Sequence, residues 1–588
     1  MRGKFLAGFS CAALVLVMLF CSDSAVAVAA RGWQTVTTLD DFRTGDALWP
    51  VIASDDNGNA IAVWEQDNGT AASVWANRYA FGFGWEGPVQ ISNASVDAHQ
   101  PTIDMSGEGN AFAVWEEGDP QHSAIFVNRY VLGSGWQGPH NLSVLGSTYA
   151  GNPDVTCGRN GHAFAVWVEG GQILVDRFAP RYGWVAPVPV SSNQTSPQAP
   201  RIDADDHGNA TVVWLDYPLA ASADLWSNRY SSTSGWGTQT LVENNDVENA
   251  TDPSVAMDNS GNAVVVWNQY VGSPITLNRA WGNRYDSDTG WGEPRILKND
   301  TTHSPGRPRV AIDGSGNATV VFDLRSSGVW AIRCSASGDW ESDAVHIPGT
   351  DGAEADLAVN EAGQAVVVWR TYRICSNTYE PTSGWSSVKE VASSSGQTPV
   401  VSIDRDGDAV AAWMSDTDDA RWSVYANEYR APGPPITVQS PVEGQETDLL
   451  MIWVSGFTDP GASVDINGVL VVVRPSDGTF DASVPLKYGN NELKVRSTLD
   501  SISSTIVVNV VCTNPVPGLQ DQLNQTRNDL QDRLNQTRNS LQEQLNQTTT
   551  DLHDAKAMTQ LFMVTTGVAA AVAVLVAVLY MMRLRKAS

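Results

Sequence analysis

Basic residues are scarce. The 588-residue chain has 36 Lys and Arg against 65 Asp and Glu, a formal net charge of −29, and only 17% of its residues are charged. A surface of that sign repels phosphate and excludes nucleic acid as a partner. Cysteine is nearly as rare. Of six, Cys11 and Cys21 fall in an N-terminal apolar run, leaving Cys157, Cys334, Cys375 and Cys512. Without a CxxC or an adjacent pair, these exclude a metal framework and a dense disulfide lattice, and one bridge, Cys334–Cys375, is conceivable. No HExxH, P-loop or Ser/His/Asp pattern occurs, and the eight histidines are dispersed. The expectation is therefore no metal, no cofactor and no catalytic residue. Disorder is excluded as well: 42% of the chain is apolar, and its 22 Trp and 50 Gly favour a turn-rich β protein.

Long apolar runs occur only at the two ends. Arg2 and Lys4 precede an uncharged run from Phe5 to Phe20, and small residues follow from Ala25 to Ala30. That pattern predicts a signal peptide over residues 1–30. Residues 561–582 carry no charge and would extend about 33 Å as a helix. Arg583, Arg585 and Lys586 follow, which predicts a single-pass cell-membrane protein with its N-terminal bulk outside and a cytoplasmic tail over 583–588.

Between the ends lies a repeat. Gly58-Asn-Ala recurs at Gly109, Gly161, Gly208, Gly261, Gly316, Gly363 and Gly407 with small variations, at intervals of 44 to 55 residues. Six residues after each glycine stands Trp64, Trp115, Trp167, Trp214, Trp267, Phe322, Trp369 or Trp413. Asn-Arg-Tyr follows at Asn77, Asn128, Asn228 and Asn283, and then a Trp opens the last segment, as at Trp85 and Trp136. Each unit reads as four short strands, with Asp-x-x-Gly-Asn as the first hairpin turn. Four strands at this period predict a β-propeller over 31–430. The last unit lacks its fourth strand, whereas residues 31–39 form an orphan one. Pairing them closes a ring of eight blades, with seven as the runner-up.

Past Ala431-Pro-Gly-Pro-Pro435, residues 436–512 predict seven short strands in a β-sandwich. Ser440-Pro441, the stretch from Gly456 to Gly468, and Asp477-Gly-Thr-Phe480 resemble bacterial Ig-like modules, which implies a spacer or adhesive role. Residues 516–558 carry an 11-residue leucine repeat, with Leu519, Leu523, Leu530, Leu534, Leu541, Leu545 and Leu552. This predicts a coiled-coil stalk and a homo-oligomer through it.

Repetition favours scaffold over site for the Trp and Asn-Arg-Tyr residues. The Asp-x-x-Gly turns, including Asp404-Arg-Asp406-Gly-Asp408, read as capped hairpins rather than calcium loops, since a following bidentate Glu is missing. Sialidase repeats and the motif of eight-bladed quinoprotein dehydrogenases are similar, but the Gly-to-Trp spacing differs from both. The variable loops between second and third strands nominate Glu65, Glu116, Glu117, Asp216, Tyr217 and Tyr270 as ligand-binding residues. Sequons at Asn68, Asn93, Asn141, Asn193, Asn249, Asn299, Asn524, Asn535 and Asn546 are glycosylation candidates. The whole resembles propeller-repeat cell-surface proteins. It predicts a membrane-anchored binding or adhesion protein for an extracellular glycan or protein. The alternative is a surface-tethered glycan-active enzyme, hydrolase or lyase, with its site at the propeller centre.

Overall fold

Short apolar runs alternating with Gly-centred turns leave this chain little but β structure. The computed structural model describes residues 32–513, apart from 41–44, 68–70, 94, 120, 144–148, 193–195, 219–221, 244–248, 272–276, 325–326, 350–351, 417–420, 432–435, 476–477 and 500–501, and describes 527–540 in part. Signal peptide, apolar segment 561–582, the tail and most of the stalk lie outside the described residues, as do Asn68, Asn193, Asn524, Asn535 and Asn546.

Over residues 32–430 the described chain forms eight antiparallel sheets in a propeller-like array. The first contains Ala47–Ser54, Ala60–Asp67, Ala72–Ala80, Gly84–Trp85 and Val89–Gln90. The expected single fourth strand is split in two in most sheets. Pro88 and Pro139 stand in the break, where a residue without an N–H cannot extend the ladder. The Asn of the Asn-Arg-Tyr motif spans this break: Gly87 N–H donates to Asn77 Oδ1 at 2.9 Å, and Gly138 N–H to Asn128 Oδ1 at 3.0 Å. The same Asn amides reach the preceding segment, donating to Leu39 O and Ile91 O at 3.1 Å. The motif's Arg lies over an aromatic ring of the next sheet, Arg78 over Tyr130 at 5.8 Å and Arg229 over Tyr285 at 3.9 Å.

Second strands are buried on both faces, which accounts for their unbroken apolar runs. Their aromatic residues, from Trp64 through Trp413, fill the space between adjacent sheets. Each apolar cluster joins one sheet to the next, from Trp115 against Val63 onward. Trp413 ties the seventh sheet to the eighth, and Trp64 ties the eighth back to the first. The eighth sheet takes its outer strands from the N-terminus: Trp33 pairs with Tyr429 and Thr38 with Tyr425. Cys157, Cys334, Cys375 and Cys512 are free and buried, so the conceivable 334–375 bridge is absent.

Residues 436–512 build two smaller antiparallel sheets. One joins Ile436–Ser440, Met451–Thr458 and Thr479–Pro485. The other includes Ser463–Ile466, Gly489–Leu499 and Ile502–Cys512. Asp406 of the eighth large sheet forms an ion pair with Arg496, Nε to Oδ2 at 2.7 Å, and accepts from Thr505 Oγ1 at 2.8 Å. Where described between 527 and 540 the chain is helical, and Leu530 and Leu534 are exposed. The expected single-pass anchoring is corrected: among the described residues no helix is long and apolar enough to cross a membrane.

Candidate active site in the axial cavity

The first strand of every sheet contributes to one axial channel. Its inner part, about 520 Å³, is lined by Val51, Thr102, Asp154, Arg201, Ser254, Arg309, Asp356 and Val400, one residue from each sheet. Toward one end it widens into a cavity of about 1020 Å³ between the sixth and second sheets, by way of the eighth.

Backbone geometry sets this mouth. In seven sheets the first strand bulges, as between Leu48 and Val51 or His99 and Thr102. The bulged residue is left-handed each time: Trp49, Gln100, Asn152, Ala199, Asp252, Glu354 and Thr398, with φ from 47 to 56°. None is glycine, and all but Glu354 precede proline. Such a conformation costs about 1–3 kcal/mol per residue. Bulges of this kind re-aim side chains near functional sites. The signal was present in the sequence as prolines at 50, 101, 153, 200, 253, 308 and 399, a second periodicity beside the glycines.

The cavity wall carries titratable pairs. Glu65 Oε1 lies 3.0 Å from His99 Nδ1, joining the first and second sheets. His99 stands opposite Glu116 in the ladder. Burial raises the Glu116 carboxyl above its ordinary range, against the hydrogen bonds of Ser123 and Tyr149 and the charge of His99. Burial likewise raises the Tyr149 phenol, with Glu116 adding to it. Glu65, His99, Glu116 and Tyr149 thus form one continuous acid–base run over three sheets. Across the cavity, Arg370 Nε meets Glu354 Oε2 at 2.8 Å, Arg309 Nε meets Asp356 Oδ1 at 3.2 Å, and Arg307 Nε meets Asp252 Oδ1 at 3.4 Å.

Deeper in the channel, half-buried carboxylates bind the otherwise unpaired inner edges of neighbouring strands. Asp104 accepts from Cys157 N–H, Asp154 from Ile202 N–H, Asp203 from Met257 N–H and Asp356 from Val401 N–H, at 2.7 to 3.0 Å. Desolvation pushes Asp104 up to about 6 and Asp203 to about 7. At the far end Arg159 crosses between sheets, its Nη2 3.0 Å from Asp56 and 2.9 Å from Glu361, and its Nε 4.0 Å from Asp206.

Of the six residues nominated from the sequence, Glu65 lines the cavity and Glu116 adjoins it through His99. Glu117 is buried and accepts from Trp115 Nε1 at 2.9 Å and from Asn93 at 2.5 Å. Asp216 is buried and accepts from Ser196 N–H at 2.9 Å. Tyr217 is half-buried against the cluster around Trp267, and Tyr270 is half-buried with its N–H on Asn249 O. Asn93, Asn141, Asn249 and Asn299 are exposed, although the Asn93 amide donates to Glu117. In the Asp404 hairpin each carboxylate has a protein partner: turn amides for Asp404, Arg496 for Asp406, Arg430 for Asp408.

No protein-family model and no curated protein matches the chain. Solved structures with a similar arrangement include an α-L-arabinofuranosidase of Fusarium graminearum, at 11% identity over 68% of this chain and 98% of that one, TM-score 0.38. An α-L-arabinanase of Penicillium chrysogenum matches at 14% identity over 60% of this chain and 99% of that one, TM-score 0.37. An ulvan lyase matches at 10% identity over 62% and 95%, TM-score 0.38. These three act on glycans; in the present chain the cavity wall carries the Glu65–His99 pair, which no sequence motif announced. The expectation of a binding or adhesion protein that is not an enzyme is corrected to this extent: the similar structures named are glycan-degrading enzymes.

Proposed function

We propose that this protein cleaves glycosidic bonds, as a hydrolase or a lyase, in the axial cavity of an eight-bladed β-propeller. One observation carries the reading: the Glu65–His99 pair, 3.0 Å apart, on the wall of a cavity of about 1020 Å³. Glycosidic cleavage needs one group to protonate the leaving oxygen and another to activate water or remove a proton. Glu116, held toward its neutral form by burial, fits the acid role. The Glu65–His99 pair fits the base role, with Glu65 orienting the imidazole. Such a division follows from environments that separate the proton affinities of neighbouring groups. The two small sheets of 436–512 serve as an Ig-like spacer in this reading, and the leucine repeat of 516–558 as a self-associating stalk.

The test is a panel of neutral and acidic polysaccharides, read for new reducing ends and for unsaturated products. Release of either kind, lost in Glu65→Gln at unchanged melting temperature, supports the assignment. Saturable binding without product from any glycan would refute it.

A further inference from the structure

The mouth of the cavity is a ring of equivalent backbone positions with unlike side chains. Scaffold positions repeat their residue, as Trp64 and Trp115 do, whereas Trp49, Gln100, Asp252 and Glu354 share only their left-handed backbone. Strain kept in seven sheets while the side chain varies points to what the side chains meet, not to the packing beneath them. Two residues stand out. Trp49 is 53% exposed on the cavity wall, whereas the repeated tryptophans of the second strands are buried. Arg307, before the proline of the sixth sheet, whose first strand is not bulged, has a side chain 74% exposed and touches Asp252 at 3.4 Å. A guanidinium offers five N–H donors in a fixed fork. One contact at that distance leaves most of them to a ligand. Arg309 and Arg370 line the same wall, each oriented by its own carboxylate. Three arginines line this cavity beside four carboxylates, Glu65, Asp323, Glu354 and Asp356, and Arg307 is the most exposed of the three.

We infer that this ring is the ligand-contact surface of the cavity and that it takes an oligosaccharide bearing carboxylate or sulfate groups, with Trp49 stacked on a sugar ring and Arg307 on the anion. The inference rests on the proposed glycan-cleaving reading and narrows its substrate class. A neutral sugar offers the guanidinium fork only single hydroxyl acceptors, whereas carboxylate and sulfate oxygens match its paired donors and its charge.

The experiment uses the full chain carrying Glu65→Gln, titrated calorimetrically with uronate-containing, sulfated and neutral oligosaccharides of equal length. Acidic ligands should bind at least about tenfold tighter than neutral ones, weakening as salt rises. Arg307→Ala and Trp49→Ala should each cost about tenfold in Kd, and Arg307→Lys should recover part of the loss. The uronate and sulfated arms tell which anion is preferred. Equal or tighter binding of neutral sugars, or indifference to Arg307→Ala, overturns the inference. Turnover of neutral glycans by the unaltered protein, indifferent to Arg307→Ala, sinks this inference and leaves the cleavage reading standing. Salt-sensitive binding of acidic sugars without turnover does the reverse.

Discussion

The two ends of the axial channel are built from the same eight strands and have opposite characters. At the cavity end, bulged left-handed residues open the ring, and every position differs from its neighbours. At the hairpin end the turns repeat one left-handed glycine, at φ 76 to 85°, and most share one cap: Asp55 Oδ1 accepts from Asn57 and Asn59 N–H, and Asp205, Asp258 and Asp313 do the same in their own sheets. Gly58 there sits at φ 79°, and a Cβ would strike the Phe81 ring at 2.4 Å. One end therefore relaxes into capped turns, and the other holds backbone strain. Repetition marks the end that carries stability, and variation marks the end available for chemistry.

The largest test of that contrast is at the open end. His99→Ala should lower kcat/KM on any cleaved glycan by about 10²–10⁴-fold, with the melting temperature within a degree or two of the parent. His99 is a half-exposed side chain whose one ion-pair partner, Glu65, also remains near solvent. A fall in melting temperature that matched the activity loss would make His99 part of the scaffold and erase the distinction between the ends.

Between the ends, the channel wall predicts a pH dependence. The folded-state values of Asp104 and Asp203, about 6 and about 7, lie above the ordinary 3.8 because burial disfavours the charged form. The folded protein therefore binds more protons than the unfolded chain between about pH 4 and 7. The stabilisation is full below pH 4 and is lost as pH rises through these values, on the order of a few kcal/mol in all. Denaturant unfolding of Asp203→Asn should flatten this slope. Asparagine keeps the carbonyl acceptor for Met257 N–H and removes the titration. A slope unchanged in the variant would assign the dependence to other groups.

Much of the scaffold was legible in the sequence, because glycine-to-tryptophan spacing is local and repeats. The fourth-strand break was missed although Pro88 and Pro139 announced it, since a two-residue strand carries no periodicity of its own. The site was legible only in part. Glu65 and His99 belong to different sheets, and nothing in spacing reveals that they meet. Glu117 was nominated because an acidic residue near a loop looks solvated. Yet it lies two places after Trp115, hence on the same strand face, and takes its indole N–H. The prolines behind the bulged residues were a readable signal of the ring, hidden because a proline near a strand start is commonly only a boundary mark.

The smallest effect belongs to the closed end. Arg159 is 37% exposed, and its partners Asp56 and Glu361 are 29% and 43% exposed, so solvent screens each pair. Three carboxylates nevertheless converge on one guanidinium from three other sheets. Removing it leaves like charges facing one another across the channel. Arg159→Ala should cost about 1 kcal/mol and lower the melting temperature by roughly 1–2 °C at low ionic strength. High salt should shrink the difference, because screening weakens both the lost attraction and the remaining repulsion. Turnover should stay at the parent level, since Arg159 lies beyond the inner channel from the Glu65–His99 pair. A variant that kept its melting temperature but lost turnover would mean that the far end shapes the cavity after all. The two ends would then be one site rather than a scaffold and a mouth.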